Sequence, residues 1–121
     1  SRLLVALFNL MQGKEFAGQE RAAGAAAFAA GTSGRPGEGA LLHLIDAQEA
    51  CFERFEAFCP PEALASWSAA QGAMPLAELE RLRRKLIAAG QGAAREPALA
   101  EAWFACCSQR TPILSLQISQ F

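Results

Sequence analysis

Apolar residues recur along this chain at spacings of three and four positions, and no stretch alternates with the period of two that is typical of a β-strand. The pattern therefore predicts an all-α fold. Its periodicity predicts four main helices over residues 1–30, 40–58, 75–89 and 97–121, with a short helical piece over 61–70. Two long outer helices, two shorter ones and short connections favour one domain over residues 1–121, built as an up-down-up-down four-helix bundle.

Glycine and proline set the predicted boundaries between these helices. Residues 31–39 contain four glycines and a proline, a composition that predicts a break after the first helix. Residues 59–61 and 72–75 contain the prolines and glycine that separate the next elements. Within the last helix, Pro112 removes one backbone hydrogen bond and predicts a bend near Ser108.

Length and composition predict a soluble globular domain. A chain of 121 residues with 52% hydrophobic and 19% charged residues can form a core, and this composition excludes a disordered segment. The net charge of −1 does not favour nucleic-acid binding. No apolar run reaches the roughly 18–20 residues of a membrane span. Because both ends fall inside apolar helical patterns, we expect an excised domain of a larger protein.

The residues that usually carry catalysis or bind metals are sparse. His43 is the single histidine, and none of the four cysteines forms a CxxC pair, so we expect no metal site and no cofactor. Reduced thiols favour a cytoplasmic protein, with an extracytoplasmic sensor domain as the alternative. No nucleophile–base pair is evident, so the sequence does not favour an enzyme. The Arg83-Arg84-Lys85 segment is predicted to lie on an exposed helix face.

Three cations interrupt otherwise apolar helix faces. Lys14 and Arg21 are seven positions apart on the first helix and share the stripe that includes Phe28. Small residues such as Gly18 lie between them, which allows a neighbouring helix to approach closely or leaves room for a small ligand. On the last helix, Arg110 falls in line with Trp103 and Leu114. If these two helices are antiparallel neighbours, Arg21 and Arg110 lie at similar heights.

Inward-facing cations need a counter-charge, because an unpaired buried charge is costly. One alternative is an internal salt bridge to a carboxylate, for which the candidates are Glu15, Glu20 and Glu101. The other is a small anion, since planar guanidinium groups match a planar oxyanion with paired hydrogen bonds. The anion-binding residues predicted on this second alternative are Arg21 and Arg110, with Lys14 and Gly18 as secondary candidates.

Several segments resemble a known family. The segment Lys14–Ala22 looks like the signature of nitrate- and nitrite-sensing (NIT) domains, which are all-helical input modules of bacterial regulators. Pro75–Arg83, the Trp103-Phe104 pair and Ser108 with Arg110 resemble the third and fourth helices of that family. The likeness touches nearly the whole chain.

The resemblance implies a bundle that binds nitrate or nitrite and relays the event to a fused output domain of a signalling or transcription regulator. It also implies that Arg21 matches a binding arginine on the family's first long helix, and that Arg110 matches a second one. The chain departs from the family after Arg110, where Thr111-Pro112 replaces an aliphatic and an acidic residue. The family's sensor often has two bundles in tandem, and this chain has the length of one.

Two alternatives to nitrate sensing follow from the same sequence. A helical signalling or dimerisation module could bind another ligand, or none, and a homodimer stays open. A bundle with a purely structural role is the second alternative. A sensor and a scaffold differ in whether an anion or a protein carboxylate lies against the inward arginines.

Overall fold

The computed structural model describes residues 1–30, 36–88 and 97–121. These residues form five α-helices, namely α1 (Arg2–Ala30), α2 (Pro36–Phe58), α3 (Pro61–Ala73), α4 (Leu76–Ala88) and α5 (Pro97–Ser119). No strand occurs in the described ranges, and the prediction of an all-α fold is confirmed. Within the same ranges, no helix is both long enough and apolar enough to span a membrane.

The predicted short piece over 61–70 is a helix in its own right. It is α3, which has 13 residues, the same length as α4. Its Trp67 is only 2% exposed and packs its ring 5.2 Å from the ring centroids of both Phe52 and Phe55 on α2. Because of this fifth helix, the up-down-up-down four-helix arrangement is not confirmed.

The second helix begins earlier than its composition predicted. α2 starts at Pro36, so residues 36–39 are helical although they were predicted to belong to the break over 31–39. Proline is well tolerated in the first turn of a helix, where its missing N–H has no intrahelical acceptor. The rest of that predicted break, and the predicted end of a helix at residue 89, lie outside the described residues.

α1 is the central helix and runs antiparallel to both of its main neighbours, α2 and α5. Gly24 lies against Trp103, whereas Met11, at the other end of α1, lines the same groove as Ile118. The residue numbers therefore run in opposite directions on α1 and α5, as the sequence predicted. On the α2 side, Glu20 contacts Gln48, and Arg2 donates to the carbonyl of Ala57 at 2.8 Å.

Two glycines of α1 allow this close packing. A Cβ atom added at Gly13 would lie 2.4 Å from the ring of Phe52, and one added at Gly24 would lie 2.2 Å from the ring of Trp103. Both distances are too short for any other residue without movement of an aromatic ring. At Gly18, by contrast, an added Cβ would meet nothing within 4 Å. Gly18 is therefore not required by helix packing.

The apolar core consists of two clusters. One contains Phe28, Leu41, Ile45, Leu79, Leu82, Leu86, Trp103, Cys106 and Cys107. The other contains Ala6, Leu10, Phe52, Phe55, Trp67, Met74 and Leu114. Along α2 and α5 a short interval of chain separates the members of one cluster from those of the other, and along α1 the interval is longer, from Leu10 to Phe28. A buried polar side chain occupies each of these intervals.

α5 continues through Pro112 without interruption. Proline has no N–H to donate to the carbonyl of Ser108, four residues earlier. One turn away, the hydroxyl of Thr111 donates to the carbonyl of Cys107 at 3.3 Å. The bend predicted near Ser108 stays a prediction.

Candidate functional site

Four polar side chains from four helices meet between the two apolar clusters. They are Glu20 of α1, Gln48 of α2, Arg83 of α4 and Arg110 of α5. Glu20 and Gln48 are each 1% exposed, Arg110 is 9% exposed, and the side chain of Arg83 is 11% exposed. We call this group the polar layer.

Glu20 accepts most of the strong hydrogen bonds in the polar layer. Arg83 binds its carboxylate in bidentate fashion, with Nε at 2.6 Å and Nη2 at 2.7 Å. The amide of Gln48 donates to the same carboxylate at 2.8 Å. The carbonyl oxygen of Gln48 accepts from Nη1 of Arg110 and, at 3.4 Å, from Nη2 of Arg83. Gln48 thus connects the ion pair to the second arginine.

The polar layer contains two guanidinium groups and one carboxylate. Arg83 is paired with Glu20, but Arg110 forms no salt bridge with any residue in the described ranges. Its Nε atom is buried and has no hydrogen-bond partner among those residues. Its guanidinium lies over the ring of Phe52, with Cζ 5.6 Å from the centroid. The layer therefore has one positive charge more than it has negative charges.

The pKa shifts of the two arginines reflect this imbalance. Burial and the positive charge of Arg83 lower the pKa of Arg110, and the more weakly acting Glu20 does not offset them. Burial also acts to lower the pKa of Arg83, but the hydrogen bonds and charge of Glu20, together with the charges of Glu49 and Glu80, outweigh it and raise that pKa overall. Glu20 therefore stabilises mainly the charged form of Arg83, whereas the desolvation of Arg110 is offset only weakly.

A second group of cations lines a surface groove between α1 and α5, which we call the basic groove. It has a volume of about 400 Å³ and is lined by Met11, Lys14, Glu15, Gly18, Arg21, Thr111 and Ile118. The guanidinium of Arg21 lies over the exposed ring of Phe104, with Cζ 5.3 Å from the centroid. Neither Lys14 nor Arg21 forms a salt bridge within the described part of the chain.

The structure places the four predicted site residues in two locations. Lys14, Gly18 and Arg21 come together in the basic groove, at the contact of the first and last helices. Arg110 lies inside, in the polar layer, on the buried stripe of α5 that the sequence predicted. The acidic candidate Glu20 is bound to Arg83 rather than to Arg21 or Arg110.

One predicted side-chain orientation was wrong. Arg83 was predicted to face solvent, yet it is buried in the polar layer. Its spacing indicates burial, since Arg83 lies four positions after Leu79 and three before Leu86, both of them buried. On α1, Arg21 lies half-buried on the predicted stripe and lines the groove between α1 and α5, and the preceding residue, Glu20, is buried.

The other reactive side chains offer little chemistry. No group of three or more metal-ligating side chains occurs in the described ranges. All four cysteines are free, and burial raises the pKa of the Cys107 thiol to about 12, so it is a poor nucleophile at neutral pH. His43 is exposed on α2.

Comparison with known proteins adds to this picture. The nitrate regulatory protein of Klebsiella oxytoca is 40% identical over 107 residues, which cover 88% of this chain and 26% of the relative. The chain thus spans about a quarter of the length of that relative. No solved structure matches the chain. The nitrate and nitrite sensing family (NIT) matches residues 1–115, nearly the whole chain, and with that match the chain belongs to the NIT family.

Proposed function

We propose that this domain binds nitrate or nitrite between α1 and α5, as the sensing part of a regulator rather than as a catalyst. Arg110 contributes to the site from the core side and Arg21 from the basic groove, with Lys14 and Gly18 beside them. Binding is then relayed to an output domain elsewhere in the regulator. The family supports the sensing role, and the chemistry of the polar layer supports the ligand.

The observation that supports this proposal most strongly is the excess positive charge of the polar layer. A buried guanidinium without a carboxylate is unfavourable, because no ion pair offsets the free-energy cost of its desolvation. Arg110 has one nitrogen without a partner and donates another hydrogen bond only to a neutral amide. One bound monoanion would balance the charge of the layer. A dianion would reverse the imbalance instead of removing it.

The geometry of the donor groups favours a planar oxyanion. A guanidinium presents parallel N–H groups that donate to two oxygens of a trigonal anion. A monatomic ion cannot accept two parallel hydrogen bonds in this way. Nitrate and nitrite are both planar, with oxygens in this arrangement. This match favours them over chloride of equal charge.

In this proposal the anion lies beside Gly18, which lines the basic groove together with Arg21. An added Cβ at Gly18 would meet nothing within 4 Å, so this part of the helix contact is open. Arg21 is held in the groove by its contact with exposed Phe104, and a cation–π contact at such a site is worth only about 0.5–1 kcal/mol. Arg21 can therefore leave Phe104 and turn toward an anion at low cost.

The connections of the polar layer provide a way to transmit binding. Gln48 accepts from both Arg110 and Arg83, so an anion that engages Arg110 also changes the bonding of α4. Four of the five helices are joined in this layer. A shift of α4 relative to α1 is the movement that an output domain would detect.

Thermal unfolding with added sodium salts tests this proposal. A ligand that binds only the folded state adds about 2.7 kcal/mol at a hundredfold excess over Kd, which raises Tm by several degrees in a domain of this size. We expect nitrate and nitrite to raise Tm more than equal concentrations of chloride or sulfate. Arg21→Ala and Arg110→Met should each abolish the difference, and Arg21→Lys should restore little of it.

Arg84→Ala is the matched control, because Arg84 is 68% exposed and pairs loosely with Glu80 at 3.5 Å. This variant should keep the full response to nitrate. A uniform shift with all four salts, or an undiminished nitrate response in Arg110→Met, would contradict the proposed site. The scaffold alternative would then be the better account.

A further inference from the structure

The guanidinium of Arg83 shows how an arginine of the polar layer binds an anionic group. Its Nε and Nη2 atoms lie side by side and donate to the two carboxylate oxygens of Glu20, at 2.6 and 2.7 Å. This side-on arrangement uses one edge of the guanidinium and forms two parallel, charge-assisted hydrogen bonds. A planar anion with two oxygens therefore fits the Nε–Nη2 edge of an arginine in these surroundings.

No described residue binds the corresponding edge of Arg110. The hydrogen bond from Arg110 to Gln48 uses Nη1, the one nitrogen that is not part of this edge. Nε is buried without a partner, and Nη2 donates to no residue in the described ranges. The two arginines thus differ in what faces the Nε–Nη2 edge, which is a carboxylate for Arg83 and no described acceptor for Arg110.

Gln48 faces Arg110 at the place where a carboxylate would complete a second ion pair. Gln48 is 1% exposed, and its carbonyl oxygen accepts from Nη1 of Arg110 and, at 3.4 Å, from Nη2 of Arg83. Its amide nitrogen donates to Glu20 at 2.8 Å. Both ends of the amide are therefore bonded to charged residues. A glutamate at this position would have nearly the same size and shape, but it would bring a second negative charge into the layer.

We propose that Gln48 determines the charge specificity of the anion site. Its neutral amide orients Arg110 through Nη1 without neutralising it, so that one positive charge and the Nε–Nη2 edge stay available for a planar monoanion. This inference rests on the proposed function and adds the residue that keeps the site open to a ligand. Gln48 is a positioning residue, because it acts on the ligand only through Arg110.

The two ends of the amide have separate parts in this role. The carbonyl oxygen holds Nη1 and thereby orients the guanidinium over the ring of Phe52, where Cζ lies 5.6 Å from the centroid. The amide nitrogen donates to Glu20, which stays paired with Arg83. A carboxylate at position 48 would instead pair with Arg110 as an internal anion. An added monoanion would then have no excess charge to balance.

The dependence of thermal unfolding on nitrate concentration, measured on the full 121-residue chain, tests this role. The rise in Tm along a nitrate series gives Kd. Gln48→Glu places a carboxylate beside Arg110, so we expect Kd for nitrate to rise by about tenfold or more and the preference over chloride to disappear. Gln48→Met removes both ends of the amide but adds no charge. It should keep a preference for nitrate, with an affinity between those of wild type and Gln48→Glu.

The double variant Glu20→Gln/Gln48→Glu exchanges the carboxylate and the amide. The layer again has one carboxylate for two guanidinium groups, so this variant should regain a preference for nitrate over chloride. Damage to packing would instead grow with the second substitution. Gln120→Glu is the matched control, because Gln120 is exposed, lies ten residues from Arg110 and pairs with Ser66. It should keep the wild-type affinity for nitrate.

An undiminished nitrate response in Gln48→Glu overturns this inference and leaves the proposed site intact. A response lost as completely in Gln48→Met as in Gln48→Glu also overturns it, since charge would then not be the cause. The same holds for a double variant that shows no preference for nitrate. If Gln48→Glu does not fold, the methionine and double variants decide the question. A wild-type chain that responds equally to nitrate and chloride contradicts the proposed function itself.

Discussion

Glu20 sets the charge balance at the centre of the molecule. It is 1% exposed and is the one acid of the polar layer, where its carboxylate binds Arg83. Replacing it with glutamine preserves size but leaves two buried guanidinium groups without a counter-charge. Removing one partner of a buried ion pair typically costs about 3–5 kcal/mol. Glu20→Gln should therefore lower the free energy of unfolding by about this amount in urea titrations.

Glu80→Gln provides the matched control for this change. Glu80 is 55% exposed and lies 3.5 Å from Arg84 on the surface of α4. Exposed pairs contribute about 0–1 kcal/mol, so this variant should unfold near the wild-type urea concentration. Equal losses in the two variants would mean that Glu20 does not compensate the buried arginines.

Replacing Arg110 should have the opposite effect on the free energy of unfolding from replacing Glu20, although both residues lie in the polar layer. Arg110→Met removes a buried charge that has no carboxylate of its own, and Gln48 keeps its bond to Arg83. In the absence of anion, we expect the free energy of unfolding to stay unchanged or to rise by about 1 kcal/mol. Urea titrations without nitrate measure this directly. A loss as large as that of Glu20→Gln would show that Arg110 is a structural residue.

At the scale of helices, two glycines of α1 have different roles. An alanine at Gly24 would place its Cβ 2.2 Å from the Trp103 ring, whose Nε1 donates to the carbonyl of Arg21. Overpacking of this kind costs about 1–3 kcal/mol, which exceeds the helix-propensity gain of up to about 1 kcal/mol. Gly24→Ala should therefore lower Tm. Gly18→Ala meets nothing within 4 Å and should raise it.

The two variants share one helix and one substitution, so each is the control for the other in the same thermal scan. If both raised Tm, the contact of α1 with α5 would be looser than the structure shows. If both lowered it, Gly18 would have a packing role that its open surroundings do not indicate.

Sequence periodicity predicted some helices better than others. On α5 the predicted stripe residue Arg110 is indeed buried. On α1 apolar residues also occupy an exposed face, among them Leu4 and Phe8, so periodicity alone did not identify Glu20 as a buried position. The helix α3 was predicted only as a short piece, because Trp67 is its one buried residue and gives no periodic apolar pattern.

For a related reason, the sequence could not predict which charged residues form ion pairs. Arg83 and Glu20 are separated by 63 positions, and periodicity identifies a face of a helix but not its partner. The cluster of lysines and arginines around Arg83 resembled an exposed face. Only the packing of α4 against α1 shows that one of these cations is buried.

At the scale of the whole molecule, the polar layer joins α1, α2, α4 and α5 through one set of hydrogen bonds. The basic groove lies on the surface between α1 and α5, and Arg21 lines it. Gln48 accepts from Arg110 of α5 and from Arg83 of α4. In the proposed function, an anion that engages Arg110 therefore acts on α4 through Gln48.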